Sequence, residues 1–272
     1  MPDGVVRWPD GPAAPGRVAV VTVSYNTREL TALLLWSLRR ILRWGSLGIT
    51  VVDNGSTDGS AELLARIDAA GGCQLIPNAS NIMHGPALTQ AISSLASAGS
   101  ALPRWVWVLD SDVVVSRPDA LGRAVRRAEE TAAAIAGESW WDPWQKVDQF
   151  LAYSLLIDPA RVWRDGIEPF ADGGDPASGL LQSAKAHGES FCEFPFVKGH
   201  YLIHRGRSSL SAVWDSGDTA HPSFGWARDH HEPHFGLVEG AAARHDELLR
   251  AFRAEVGPLD GRTAIDVLGA RA

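Results

Sequence analysis

Three short apolar runs that each break off at polar side chains constrain this chain most. Val18-Ala-Val-Val-Thr-Val23 runs into Ser24-Tyr25-Asn26, Ile49-Thr-Val-Val52 into Asp53-Asn54-Gly55, and Trp105-Val-Trp-Val-Leu109 into Asp110-Ser111-Asp112. Runs this short, β-branched and unbroken are what strands buried on both faces look like, as in parallel sheets. The stretches between them carry the helical period. Leu30, Leu33, Leu34, Leu38, Ile41 and Leu42 share one helical face, and Asn26-Thr-Arg-Glu29 before them has the form of a capping box. A second helix is expected from about Ser60 to Gly71-Gly72, and a third opens at Pro86 and ends near Gly99, with Gln74-Leu-Ile76 as a short strand between them. This βαβαβαβ order implies an α/β fold: a Rossmann-like, mostly parallel sheet with helices on both faces.

Beyond about residue 131 the rhythm changes. Ala132–Ala136 and Phe150–Ile157 read as strands around a loop, Glu138–Asp148. Pro176–Ala186 reads as a helix, Phe194–Val197 as a strand and Ala241–Val256 as an amphipathic helix, while 214–235 shows no period. The expected division is a disordered tail over 1–16, a first half over 17–130, a smaller second region over 131–240, and a C-terminal helix and tail over 241–272.

Composition excludes several function classes. Lys and Arg number 25 against 32 Asp and Glu, a net charge of −7, which suits no polyanionic nucleic acid. No apolar run reaches the roughly 18 residues of a transmembrane segment. Residues 1–16 lack the apolar core of a secretory leader, and Cys73 and Cys192 form no metal or disulfide pattern. A soluble cytoplasmic enzyme fits these features, and a homodimer is left open. Two counts stand out: 11 Trp against 3 Tyr, and 9 His with six between His200 and His234. Trp suits stacking on rings, and clustered His suits metal or proton transfer.

In an open parallel sheet, ligands bind beyond the carboxyl ends of the strands, where the polar residues above fall. Asp is a poor strand residue. Asp110 and Asp112, spaced i, i+2 after an apolar run, would repel each other unless a cation or solvent relieved them. Such a pair can converge on a hard divalent cation, which would bridge a diphosphate and neutralise it as it leaves. Asn26 and Asp53-Asn-Gly-Ser are also good cap and turn chemistry, which needs no ligand.

Taken together, Thr22-Val-Ser-Tyr-Asn26, Val51-Val-Asp-Asn-Gly-Ser-Thr-Asp58 and Leu109-Asp-Ser-Asp-Val113 resemble a family 2 glycosyltransferase with the GT-A fold, over about residues 17–120. The resemblance implies a nucleotide site built from Thr22, Ser24, Tyr25, Asp53, Asn81, His84, Asp110 and Ser111. Within it, Tyr25 packs on the base, Asp53 accepts a hydrogen bond from it, and Asn81 and His84-Gly85 lie on a loop passing the nucleotide. Asp110 and Asp112 then hold Mg2+ or Mn2+, with His204 as a further ligand. His200 shares a face with His204 if both lie on one strand. The Arg205-Gly-Arg-Ser-Ser209 stretch that follows is suited to phosphate.

The implied donor is a nucleotide-diphosphate sugar (UDP- or dTDP-), and the reaction is inverting transfer of one sugar to a hydroxyl on a small molecule, glycan or apolar aglycone. The synthase signature Q-x-x-R-W is absent, which favours a non-processive enzyme. Inversion needs a carboxylate base. Asp175 is the best match, with Asp172 and Glu168 open. Asp175-Pro176 is also an excellent helix cap, and a capping carboxylate is a weaker base. Trp140, Trp141 and Trp144 are expected to line the acceptor. One departure is Ala87-Leu-Thr89, where many members carry a cation. The rival readings are a sugar-phosphate nucleotidyltransferase, which wants a Gly-rich basic loop that is missing here, and a non-catalytic nucleotide-sugar-binding protein, against which the intact Asp pair argues.

Overall fold

The structure is a computed structural model, and it describes residues 5–9, 14–98, 102–142, 147–172, 174–217, 219, 224–230, 232–235 and 238–269. The first half runs β1 (Ala14–Ser24), α1 (Arg28–Arg40), β2 (Leu47–Asp53), α2 (Ser60–Ala69), β3 (Gln74–Pro77), α3 (His84–Ser97), β4 (Pro103–Leu109), β5 (Val113–Val115) and α4 (Ala120–Glu130). The second continues with β6 (Ile135–Gly137), β7 (Ser139–Asp142), β8 (Val147–Phe150), β9 (Ser154–Ile157), α5 (Pro159–Val162), α6 (Ser178–Ala186), β10 (Phe191–Glu193) and β11 (Leu202–His204). It closes with α7 (Ser208–Ser216), α8 (Phe224–His230), α9 (Ala241–Val256) and α10 (Arg262–Leu268).

Among the described residues, seven strands form one sheet in the order β10-β6-β9-β4-β1-β2-β3. Strands β1 to β4 are parallel, and β9 is antiparallel to both β4 and β6. Strand side chains alternate between faces. Val18, Val20, Trp105 and Trp107 therefore face α1, α2, α4 and α9, while Ala19, Val21, Val106 and Val108 face α3 and α6. Each face buries its own apolar cluster, and β1 lies between β2 and β4. The chain thus leaves β1 in opposite directions along the sheet, a switch point that opens a crevice at the carboxyl ends. Two small antiparallel ladders stand apart, β5 with β11 and β7 with β8.

Several expectations fail, each for a tertiary reason. The tail is not wholly disordered. Trp8 is buried, its N–H donates to the Trp163 carbonyl at 2.8 Å, and the Trp163 indole N–H returns a bond to Val6 at 3.0 Å. Burial of this large apolar side chain, with the two hydrogen bonds, works against the entropy of ordering 5–9. The α1 capping box is not formed: the Arg28 N–H donates to Asp58 Oδ2 at 2.9 Å, and Glu29 pairs with Arg253 of α9. The loop 138–148 contains the β7–β8 hairpin, and 150–157 is split between β8 and β9. Residues 194–197 make turns instead of a strand, with the Phe196 N–H bonded to the Phe194 carbonyl. The aperiodic 214–235 holds the end of α7 and all of α8. Among the described residues Trp8, Trp36, Trp105, Trp107 and Trp163 are core material.

Candidate active site

The ends of β1, β2 and β4 converge because their registers do. Ser24 stands opposite Asp53, and the Asn54 N–H bonds the Ser24 carbonyl at 2.8 Å. After Leu109 the chain turns, with the Val113 N–H on the Asp110 carbonyl, and β5 begins. In the β5–β11 ladder Val113 pairs with His204, which brings the imidazole beside the two carboxylates. Ligand atoms of Asp110, Asp112 and His204 all lie within 4.8 Å of one another. His204 Nε2 is 3.5 Å from Asp110 Oδ2 and 3.3 Å from Asp112 Oδ1.

The electrostatics of this cluster suit a cation. Burial would raise the Asp112 carboxyl, but the His204 charge and the Ser208 N–H outweigh it and hold it well below the usual carboxylate range. Burial would likewise lower His204, and the two carboxylates raise it instead. Asp110 Oδ1 is buried with no hydrogen-bond partner, the His84 imidazole standing 3.5 Å away. Two carboxylate oxygens and one imidazole nitrogen therefore fit a divalent cation. His200 takes no part: it is exposed, lies before β11 in a turn with φ +56°, and so does not share a strand face with His204.

On the nucleotide side, Asp53 is buried; its Oδ2 accepts the Ser56 N–H at 3.2 Å, and its Oδ1 has no partner. Tyr25 is half-buried directly after β1. Ser24 and Ser111 turn their hydroxyls inward to Thr27, at 3.4 and 3.1 Å. The Thr22 hydroxyl is buried too. Asn81 is carried on a loop organised by Asn54, whose amide donates to Asn81 Oδ1 and whose oxygen accepts from Asn78 and from the Ile82 N–H. That loop lies so close that a Cβ on Gly55, at φ +77°, would sit 2.6 Å from the Ser80 carbonyl carbon.

The loop with the candidate bases packs on the start of α3. The Asp172 carboxylate is exposed and accepts the Gly85 N–H at 3.2 Å. Asp175 does cap the segment leading into α6, accepting the Ala177 N–H at 2.9 Å, and it also accepts the Ala152 N–H at 3.1 Å. The expected weakening of this base does not follow, because burial outweighs both N–H bonds and pushes the carboxyl up to about 6. The charge of Asp110 adds to the rise. Glu168 is exposed and packs on Gly179 of α6.

The family model for glycosyl transferase family 2 matches residues 19–163, more than half of the chain. The chain belongs to glycosyl transferase family 2. It is a glycosyltransferase, and its fold is GT-A. Among solved structures, a mannosyltransferase from Pyrobaculum calidifontis in complex with GDP-Man and Mn2+ has a TM-score of 0.52 at 16% identity, over 93% of this chain and 80% of that one. TarS of S. aureus has a TM-score of 0.49 at 15% identity, over 72% of this chain and 38% of its own length. A glucosyl-3-phosphoglycerate synthase from Mycobacterium tuberculosis with Mn2+, UDP and glucosyl-3-phosphoglycerate has a TM-score of 0.47 at 18% identity, over 66% of this chain and 69% of that one. No curated protein matches the chain. Among the described residues no helix is long and apolar enough to cross a membrane.

In this glycosyltransferase Trp140 and Trp141 part ways. Trp140 packs against the core, its indole N–H donates to the Tyr153 hydroxyl at 2.8 Å, and the Lys198 ammonium covers its ring at 4.4 Å. That occupancy argues against Trp140 as an acceptor wall. Trp141 points the other way and is 58% exposed. Trp144 lies outside the described residues. Sequence reasoning missed Tyr153, which stacks on His204, and Asn54, which shapes the Asn81 loop. The adjacency of Asn54 to Asp53 was the one available signal.

Proposed function

We propose that this glycosyltransferase is metal-dependent, inverting and non-processive, moving one sugar from a uridine or thymidine diphosphate sugar to a hydroxyl-bearing acceptor. The observation that carries the reading is the Asp110–Asp112–His204 cluster beyond the end of β4, whose Asp110 charge is felt at Asp175. Mn2+ or Mg2+ held by these three residues would neutralise the diphosphate as it leaves. Asp53 Oδ1 is a buried acceptor in want of a donor, and the imide N–H of uracil or thymine supplies one. Tyr25 packs on the same base. Asp175 takes the acceptor's proton as its oxygen attacks the anomeric carbon, and a carboxyl raised to about 6 remains ionised at neutral pH while being more basic than an ordinary one. A single displacement of this kind inverts the anomeric centre. Trp141, with Trp144, offers a flat apolar face to a glycan or aglycone. Both cysteines are free and buried, in keeping with a reducing cytoplasmic setting.

Thermal unfolding against a panel of nucleotides and sugar nucleotides, with and without Mn2+, tests the donor. Metal-dependent stabilisation by a uridine or thymidine sugar nucleotide is expected, followed by transfer with the product anomer assigned by NMR. Lack of stabilisation by every member of the panel, or retention of configuration, overturns the proposal.

A further inference from the structure

Glu138 is a carboxylate that the proposed chemistry does not use, and it is fully buried. It follows β6 directly and accepts three hydrogen bonds. The Tyr153 hydroxyl donates to Oε2 at 2.6 Å, the Val197 N–H to Oε2 at 2.8 Å, and the Lys198 N–H to Oε1 at 2.9 Å. Tyr153 lays its ring on the His204 imidazole, with centroids 4.7 Å apart and planes 12° apart. The Val197–Lys198 turn leads into β11, where His204 is the last residue. One buried carboxylate therefore holds both the ring that His204 rests on and the backbone that delivers His204.

We infer that Tyr153 is a positioning residue for the metal ligand His204, and that Glu138 anchors it; this rests on the metal-site reading above. An imidazole at the end of a three-residue strand has two side-chain torsions to lose before its nitrogen can bind. A parallel ring fixed at its far end by a short charge-assisted O–H bond removes much of that freedom beforehand, with Nε2 already 3.3 Å from Asp112 Oδ1. The Trp140 indole N–H on the Tyr153 hydroxyl extends the same brace into the β7–β8 hairpin. Trp140 thus serves the metal side, whereas its neighbour Trp141 faces outward.

The test is Mn2+ binding to the full chain by electron paramagnetic resonance, for the wild type, Asp112→Ala, Tyr153→Leu, Tyr153→Phe and Glu138→Gln. Outer-shell partners of metal ligands are worth roughly 10–100-fold in affinity, so Tyr153→Leu should weaken Mn2+ binding by about tenfold or more. The Mn2+ concentration for half-maximal turnover should rise in step, while turnover at saturating Mn2+ falls far less. Tyr153→Phe keeps the ring but loses the hydroxyl bond to Glu138, so its affinity should fall between those of the wild type and Tyr153→Leu. Wild-type affinity in Tyr153→Leu, with binding lost in Asp112→Ala, overturns the inference and spares the metal site. Equal losses in the Phe and Leu variants also overturn it, because the ring would then not be what positions His204. Should Tyr153→Leu fail to fold, Glu138→Gln decides: unchanged Mn2+ affinity there overturns the inference. A wild type that does not bind Mn2+ overturns the metal-site reading itself, and the inference with it.

Discussion

Gly85 meets Ala171 backbone to backbone: a Cβ at residue 85 would lie 2.4 Å from the Ala171 carbonyl carbon. The first turn of α3, which carries His84, is thereby set against the loop that carries Asp172 and Asp175. Gly85→Ala must push that loop away. We expect a stability loss of about 1–3 kcal/mol, as for other overpacked sites. Turnover should fall, because the loop that carries Asp175 is displaced. Thermal unfolding and steady-state kinetics check both, and an unchanged kcat would detach Gly85 from the base loop.

Asp112→Ala should abolish transfer and metal-dependent nucleotide binding in a chain that still folds. A stability change with a defined pH dependence accompanies it. The folded carboxyl lies below its ordinary value of 3.8, so Asp112 stabilises the fold above that pH, and the contribution is lost as pH falls through the depressed folded value. The variant should therefore be less stable than the wild type at pH 7, and the gap should close in acid. Unchanged turnover in Asp112→Ala would remove Asp112 from the metal site.

Base selection should follow the unpaired Asp53 Oδ1. Uridine and thymidine diphosphates should bind, and adenosine diphosphate, which lacks the imide N–H, should lose about 1–3 kcal/mol. Guanosine diphosphate carries an N–H donor of its own, so including it separates donor chemistry from base size. Calorimetry giving equal affinities for the adenosine and uridine nucleotides contradicts the role of Asp53.

Asp175 links activity and stability in opposite directions. As a base it must be ionised, so kcat/KM should rise through about pH 6 and level off above it. For stability, a folded value above the ordinary 3.8 gives a contribution that is full below pH 3.8 and is lost as pH rises through 6. The stability of Asp175→Asn relative to the wild type should thus improve between pH 4 and 7, by on the order of 1–3 kcal/mol, while turnover falls at least about 100-fold. Denaturant unfolding of the metal-free chains at several pH values measures the first effect. A flat difference across that range would mean that burial does not set the Asp175 carboxyl.

Trp140 and Trp141 should respond differently to truncation. Trp141→Ala should raise the acceptor KM with little change in stability or nucleotide affinity. Trp140→Ala should lower stability, since it removes a packed ring and the indole donor to Tyr153. Should Trp141→Ala weaken nucleotide binding and spare acceptor kinetics, the hairpin belongs to the donor side.

Much of the first half could be read from the chain because its signals are local. Val18–Val23, Ile49–Val52 and Trp105–Leu109 became β1, β2 and β4, side by side, and the family motifs fell at their ends. Asp53, Asp110 and Asp112 needed only that adjacency. The second half was harder to read: Asp175-Pro176 could be recognised as a cap, but the burial that reverses the effect on the carboxyl, and the bond from the distant Ala152 N–H, arise only in the folded chain.

By itself the sequence determined the α/β rhythm, the parallel strand ends and the carboxylate pair. Periodicity and the aversion of Asp for strands act within a few residues. Tertiary structure alone decided which histidine joins that pair, through the β5–β11 register that sets His204 opposite Val113 and leaves His200 in a turn. It also decided that Trp140 faces in and Trp141 out, since alternation separates neighbouring side chains on a strand but does not say which one meets the core. Pairings between distant segments depend on what each surface can bury against, and no local preference along the chain encodes that.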